Sequence, residues 1–395
     1  MTLDYQTWKN IASLPKEHCF GCAVCADICP ADCIEICPDH EGFQYPKVSD
    51  VQCIDCGECL HACPALNDFP RQQALDSPKF YAGFVTDEKI RYLSSSGGIF
   101  SLLAQQILSQ NGTIYGAVYD YEMPSVKHTR ADSEGGAGLM RKSKYVQSSS
   151  QGIFPRVQQD LEAGLLVLFT GTPCQTAGLQ LYLGQAYENL LICDFICHGV
   201  PSPGLFTQHF KALSNQDAAP ITHIDFRTKA KGWGSFLNFY LDVKTTAKNH
   251  LIYAALDAYY ALFLANLILR PVCYQCPFAN LARPADITFG DFWGVGKRCP
   301  ELHDGKGTSL LLANTQKGQT WIDNLRGNAQ LKHITTPHNL QPNLQHPTAR
   351  PNLRQDFFDR FPVEKWPRHK LYAHLLAIWI LFKNKTREYL TNGLN

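Results

Sequence analysis

Two stretches of the chain carry thiols at one repeated spacing: Cys19, Cys22, Cys25 and Cys29 before Pro30, then Cys53, Cys56, Cys59 and Cys63 before Pro64. Both read C-x2-C-x2-C-x3-C-P. Three closely spaced thiolates take three irons of one [4Fe–4S] cubane, and the fourth, a short turn further on, reaches the other cluster. The predicted ligand sets are therefore crossed: Cys19, Cys22, Cys25 and Cys63 for one cluster, and Cys53, Cys56, Cys59 and Cys29 for the other. Zinc also takes C-x2-C pairs, but four ligands per ion do not require a triple spacing closed by Cys-Pro. Cys33 and Cys37 stand outside both motifs and read as small buried residues.

A looser group of thiols follows. Thr170-Gly171-Thr172-Pro173-Cys174 and Cys197-His198-Gly199 each come after an apolar run of strand length, and Cys273-Tyr274-Gln275-Cys276 lies further along. Cysteines leaving the carboxyl ends of neighbouring parallel strands share the edge where open α/β sheets bind ligands. Spacing leaves two readings open: a third [4Fe–4S] cluster on Cys174, Cys197, Cys273 and Cys276, or two core cysteines beside a zinc or redox pair. Cys193, inside a strand, and Cys299, beside a proline, read as structural. Two turns feed helices, Ser94-Ser95-Ser96-Gly97-Gly98 before Ile99 and Gly171-Thr172-Pro173 before Gln175. A helix start offers free amides to a phosphate-bearing cofactor, although neither turn is a dinucleotide fingerprint or a P-loop. Clusters pass single electrons, so two-electron chemistry beside them calls for a flavin.

The elements that must position these groups are legible in outline. Strand Phe80–Val85, helix Ile99–Leu108 stopped by Asn111-Gly112, helix Pro155–Ala163, strand Leu165–Thr170, helix Gln175–Leu183 and strand Leu190–Ile196 give βαβ order and parallel pairing. The alternation in Ser235–Val243, after the turn-like Lys231-Gly232-Trp233-Gly234, predicts antiparallel strands. Helix Ala254–Leu269 carries an apolar ridge that reads as core packing. The expected class is α+β and α/β: a small di-cluster ferredoxin-like domain over residues 1–75, a linker over Asn67–Pro78, a larger α/β flavin-binding domain with an antiparallel extension over 79–330, and a C-terminal helical tail over 331–395.

Bulk composition narrows the partners. With 36 Lys and Arg against 35 Asp and Glu, the 395-residue chain has no electrostatic footprint for nucleic acid. Leu371–Phe382 is shorter than the roughly 20 residues of a spanning helix. Its basic flanks, Arg368, Lys370, Lys383, Lys385 and Arg387, suit a surface-lying helix, and docking on the protein itself is the commoner arrangement. The opening MTLDYQTWKN lacks the basic start and apolar run of an export signal. Ten of the 16 cysteines crowd into residues 19–63, which suits a reducing compartment that keeps thiolates free for iron. The expected location is cytoplasmic.

From about Lys79 to Asn324 the chain resembles the beta subunits of coenzyme F420-reducing hydrogenases and related dehydrogenases. The resemblance rests on Ser94–Phe100 (SSSGGIF), Lys142–Gln147 (KSKYVQ), Gly171–Gln175 (GTPCQ), Cys197–Pro203 (CHGVPSP), Phe226–Trp233 (FRTKAKGW), Cys273–Phe278 (CYQCPF), Asp286–Gly294 (DITFGDFWG) and Lys306–Leu310 (KGTSL). It implies an FAD-containing fold, a third [4Fe–4S] cluster on Cys174, Cys197, Cys273 and Cys276, and FAD contacts from Ser95, Ser96, Gly97 and Gly98, from Ser143, Lys144 and Tyr145, and from Thr170, Gly171, Thr172 and Pro173. Cys33 and Cys37 depart from similar chains. The substrate does not follow, since such chains resemble proteins of polysaccharide biosynthesis as well as reductases of chlorophyll intermediates or sulfite. Candidates for chemistry beside the flavin are His198, Asp291 and Lys306, with Arg227, Lys229 and Arg283. Each has a plainer role: Asp291 as a turn-former, Arg283 as a surface or phosphate contact, His198 as a donor to a cluster sulfur, and Arg227, Lys229 and Lys306 as solvated charges. The expected partners are a ferredoxin or another redox protein and a small-molecule acceptor, deazaflavin or another organic compound. The rival expectation is an electron-transfer subunit with no substrate site of its own.

Overall fold

The computed structural model describes residues 4–69, 74–233, 239–335 and 341–392. Thirteen strands are present among them: β1 (Ile34–Pro38), β2 (Gln44–Val48), β3 (Ala74–Val85), β4 (Thr113–Asp120), β5 (Ser125–Ala131), β6 (Val167–Gly171), β7 (Leu190–Phe195), β8 (Ile221–Asp225), β9 (Tyr240–Thr245), β10 (Asn249–Tyr253), β11 (Ile287–Asp291), β12 (Ser309–Thr315) and β13 (Ala329–Ile334). Eight of them form one sheet in the order β13-β3-β12-β11-β7-β6-β4-β5. The central four, β11, β7, β6 and β4, run parallel, with Ile287 beside Cys193, Val167 beside Leu190 and Thr113 beside Val167. Val167, Leu168, Phe169 and Leu191 are buried, as expected of continuous apolar strands covered on both faces. Antiparallel strands complete both edges, and β8, β9 and β10 form a separate antiparallel sheet. The architecture is mixed α/β and α+β behind a ferredoxin-like N-terminal module.

That module consists of the hairpin β1–β2 and two one-turn helices, Val24–Asp27 and Glu58–His61. Both motifs enter their helix through the same pair of left-handed residues, Gly21 and Ala23 (φ 66° and 62°) in the first, Asp55 and Gly57 (φ 52° and 78°) in the second. The module shares its core with the rest of the chain: Ile11, Phe43 and Tyr45 join the cluster that holds Phe206, Phe210, Tyr259 and Phe358. A buried ion pair seals this junction. Arg354 Nη1 donates to Glu41 Oε1 at 3.0 Å and Nη2 to Glu41 Oε2, while Ser202 Oγ donates to the Glu41 carbonyl at 2.6 Å.

Two sequence expectations change. β3 begins at Ala74, so residues 74–78 of the expected linker are strand, while residues 70–73 of it lie outside the described residues; Pro78 falls at a break in the β3–β12 register and beyond the β13 ladder, where a missing N–H costs little. The expected helix Ala254–Leu269 is instead a 3₁₀ turn, Ala254–Leu256, and a helix, Ala258–Leu264. Asp257 caps the helix by accepting from Tyr260 N at 2.9 Å, and Asn266 ends it in the left-handed region at φ 60°. Of the predicted strand Ser235–Val243, residues 235–238 lie outside the described residues, as does Gly234 of the preceding turn. The remainder pairs as β9. The C-terminal helix Trp366–Asn392 buries Ala373, Ala377 and Ile380 and exposes Leu371, Tyr372 and Leu375. Among the described residues no helix is long and apolar enough to cross a membrane.

Candidate redox centres

The N-terminal thiols gather around two small cavities. Cys19, Cys22, Cys25 and Cys63 line one, walled by Ile11, Leu14, Phe20, Val24 and Ile36. Cys29, Cys53, Cys56 and Cys59 line the other, together with Cys33. Burial pushes the Cys22 and Cys25 thiols well up, and neighbouring thiols add to it, Cys63 for Cys22 and Cys19 for Cys25. Such a set of mutually repelling thiols in an apolar wall suits a cluster, whose irons take up the thiolate charge. Cys33 is buried, with its Sγ 3.4 Å from that of Cys29; Cys37 lies in β1 opposite Tyr45.

The two cavities have unlike surroundings. Cys22 Sγ lies where a Cβ on Gly178 would come within 3.4 Å, so the first motif packs on helix Pro173–Leu183. Ser150 Oγ donates to the Cys22 carbonyl at 2.8 Å, Gln147 Nε2 to the Phe20 carbonyl at 2.9 Å, and the Gly152 amide to Asp27 at 2.7 Å. Cys56 is exposed, as are Ile54 (65%) and Val51 (96%) beside it.

The third group assembles as the strand order requires. Cys174 follows β6 as the second residue of helix Pro173–Leu183, which Thr172 caps with Gln175, and Cys197 follows the adjacent parallel β7. Cys273 and Cys276 come from a 3₁₀ turn over Pro271–Gln275 and the residue after it. Burial raises Cys197 well above the ordinary thiol value, with Cys273, Cys174 and Cys276 adding to the shift. The Val200 amide donates to Cys273 Sγ at 3.5 Å. Cys193 and Cys299 are buried away from this group.

Cys174 and Cys197 also line a cavity of about 480 Å³, the size of a small-molecule or cofactor site. Ser95, Ser96, Gly98, Ser143, Lys144, Tyr145, Thr170, Gly171 and Thr172 line it as well, whereas Gly97 and Pro173 stand behind the wall. Gly97 serves there through its size: a Cβ would come within 2.4 Å of the Gly83 carbonyl. Gly98, at φ 90°, opens helix Ile99–Leu108 toward the cavity. Lys144 Nζ donates to the carbonyls of Met140 and Arg141 at 3.2 and 2.8 Å, and burial lowers its pKa to about 7. Tyr145 stacks on Phe263 with ring centroids 4.5 Å apart.

The residues proposed for chemistry separate. His198 and Asp291 line the cavity, and Lys306 does not: it is an exposed side chain paired with Glu88 at 2.5 Å. His198 Nε2 bonds Asn266 Oδ1 at 2.6 Å, so its partner is an amide and not a cluster sulfur, and burial lowers its pKa. Asp291 accepts from Arg227 Nη1 at 2.7 Å, and that guanidinium lies over Phe239 and Trp293. Lys229 is buried, not solvated; its Nζ donates to the Arg91 and Ser96 carbonyls, and burial, with Arg91 adding, lowers its pKa to about 7. Arg283 is also interior, donating to Asp194 Oδ2 at 2.9 Å, which ties the loop after Cys276 to the end of β7. Sequence reasoning missed His128, which lines the cavity and bonds the Thr170 carbonyl at 2.9 Å, and Arg270, which joins the first motif to the third thiol group. The one signal for Arg270 was a charge between an apolar ridge and Cys273-x2-Cys276.

Comparison with known proteins follows these two parts of the chain. Residues 18–67 match the 4Fe–4S dicluster domain, which makes the chain an iron–sulfur electron-transfer protein carrying [4Fe–4S] clusters. Residues 165–337 match the carboxyl-terminal part of the coenzyme F420 hydrogenase/dehydrogenase beta subunit, so this part of the chain is related to that oxidoreductase subunit. It is 37% identical to NADH-quinone oxidoreductase subunit I of Pelobacter propionicus over 73 residues, 16% of this chain and 38% of that protein. It is 39% identical to NADH-quinone oxidoreductase subunit I 2 of Geobacter metallireducens over 54 residues, 12% of this chain and 41% of that protein. The chain thus spans about two fifths of the curated relatives it matches. Among solved structures it is similar to a chain of the F420-reducing [NiFe] hydrogenase complex from Methanosarcina barkeri, at 15% identity and a TM-score of 0.45, over 75% of this chain and 94% of that one.

Proposed function

We propose that the chain is a cytoplasmic iron–sulfur flavoprotein oxidoreductase in which electrons from a redox protein pass through the N-terminal clusters and a third [4Fe–4S] cluster to FAD, which serves a small-molecule acceptor. The observation that carries this reading is the shared wall: Cys174 and Cys197 line the same cavity as Ser95, Ser96 and Gly98 and as Ser143, Lys144 and Tyr145. The crossed sets Cys19, Cys22, Cys25, Cys63 and Cys53, Cys56, Cys59, Cys29 hold the first two clusters, and Cys174, Cys197, Cys273 and Cys276 the third. The exposed second motif receives electrons.

FAD, when bound, converts one-electron delivery into two-electron chemistry. The helix start at Ile99 and the small residues before it hold its phosphates, and Tyr145, Phe263 and Trp293 offer flat apolar walls. With Asn266 Oδ1 as acceptor, the His198 ring proton sits on Nε2. Arg227 pairs with Asp291 at the cavity wall.

Anaerobic purification with iron, sulfide and flavin quantification tests the model: about twelve irons and one FAD per chain are expected. About eight irons would remove the third cluster, and absence of flavin would end the proposed enzyme. The names of the matched relatives, subunits of larger assemblies, favour the second reading of an electron-transfer subunit. Turnover of the isolated chain with reduced ferredoxin and an organic acceptor separates the two, since a pure subunit turns over only with its partner.

A further inference from the structure

Arg270 is fully buried, and among the described residues no carboxylate makes an ion pair with it. Its guanidinium donates from Nε to the Cys19 carbonyl at 2.7 Å, from Nη1 to Gln147 Oε1 at 3.0 Å, and from Nη2 to the Gln44 carbonyl at 2.9 Å and Cys19 Sγ at 3.4 Å. Tyr45 lies beneath it at 4.3 Å. Every partner but the sulfur is neutral. A buried cation costs several kcal/mol unless a counter-charge meets it; the sulfur it touches is that of Cys19, and its charge is also felt at Cys174 and Cys273 of the third group.

Among the described residues the second motif has no buried cation in the equivalent place. Gly21 leaves room for the guanidinium, because a Cβ there would meet Arg270 Nη1 at 2.6 Å. Asp55 takes the matching place in the second motif, with its Oδ1 3.5 Å from Cys53 Sγ. One motif therefore holds a buried, unpaired positive charge against its first thiol, and the other a half-exposed carboxylate paired with Lys9 at 3.6 Å.

Resting on the crossed ligand assignment above, we infer that Arg270 is a positioning residue for electron flow: it gives the Cys19-side cluster the higher reduction potential, so that electrons run from the exposed Cys53-side cluster inward. Reduction adds one negative charge to a cluster, and a nearby cation in a poorly screened interior favours that state. Charge and hydrogen bonding at the sulfurs are recognised means of setting a cluster's potential. Arg270 also stands three residues before Cys273, with its carbonyl accepting from the Cys273 amide at 2.9 Å, and so lies on the side of the first motif that faces the third thiol group.

The test is a redox titration of the full chain, purified anaerobically and followed by the paramagnetic signals of its reduced clusters, with iron counted in each sample. The wild-type chain is expected to show separate midpoints for the two N-terminal clusters, and Cys56→Ser to remove the lower one. Arg270→Gln at full iron content should lower the upper midpoint, Arg270→Lys should restore most of it, and Asp55→Asn should raise the lower one. Coincident midpoints in the wild type, loss of the upper midpoint in Cys56→Ser, or an unmoved upper midpoint in iron-replete Arg270→Gln would each overturn the inference. Should Arg270→Gln fail to hold iron, the wild-type order, Arg270→Lys and Asp55→Asn still decide it. A wild-type chain with fewer than about eight irons would instead remove the ligand assignment itself.

Discussion

The two cysteine motifs have the same spacing and the same left-handed turns, yet one is interior and the other is surface. At each matching position the residue fits its side. Gly21 admits Arg270 where Asp55 meets solvent, and Asp27 accepts amides from Gly152 and Phe154 where His61 is exposed. A repeated motif thus specifies a cofactor, while the residues between its cysteines specify what lies next to it. Spacing is set by the cubane and the intervening positions by the neighbour.

That contrast can be broken most directly at the thiols. Cys22→Ser is expected to lose about four irons and to lower the unfolding temperature of the whole chain, because the first motif packs on helix Pro173–Leu183. Cys56→Ser should lose a similar amount of iron with a smaller fall; equal melting shifts in calorimetry would remove the distinction. Next in size is the clamp that keeps the module docked. Glu41→Ala leaves Arg354 buried without its partner, expected to cost about 3–5 kcal/mol, and limited proteolysis should then cut near the first motif as readily as near the second.

Glycines sharpen the comparison further. Gly21→Ala puts a Cβ against Arg270 and Gln147 at 2.6 Å, expected to cost about 1–3 kcal/mol in urea unfolding. Gly57→Ala meets only His61 at 3.8 Å, and its left-handed backbone should cost about 1 kcal/mol. The smallest effect is a pH slope. Burial raises the Asp27 carboxyl from 3.8 to about 6, against the amides that lower it. The folded state therefore holds its proton longer than the unfolded one, and the stability this contributes below pH 3.8 is lost as pH rises through about 6. Asp27→Asn should flatten this decline, on the order of 1 kcal/mol, in urea midpoints taken across that window.

The cysteine motifs, the βαβ order and the edge shared by Cys174 and Cys197 were legible because each follows from local spacing or from a rule linking consecutive elements. Lys306 was a candidate for chemistry beside the flavin, and the fold places it beside Glu88 on the surface, the solvated charge of its plainer reading. Lys229 and Arg283 read as surface charges because their partners, the Ser96 carbonyl and Asp194, are distant in sequence. The same holds for Arg270, whose contacts at Cys19 are 251 residues away. The break at Asn266 was hidden inside an apolar ridge, since asparagine tolerates the left-handed backbone without a glycine to announce it.

The Glu41–Arg354 pair has a consequence for how the molecule is made. Chains emerge from the ribosome amino end first, and domains generally fold as units in that order. The ferredoxin-like module leaves the ribosome before the arginine that seals it, which is more than three hundred residues behind. Throughout most of synthesis the Glu41 carboxylate has no counter-charge and the faces later covered by Phe206 and Phe358 are open. The docked arrangement of the module is thus completed only once Arg354 has emerged.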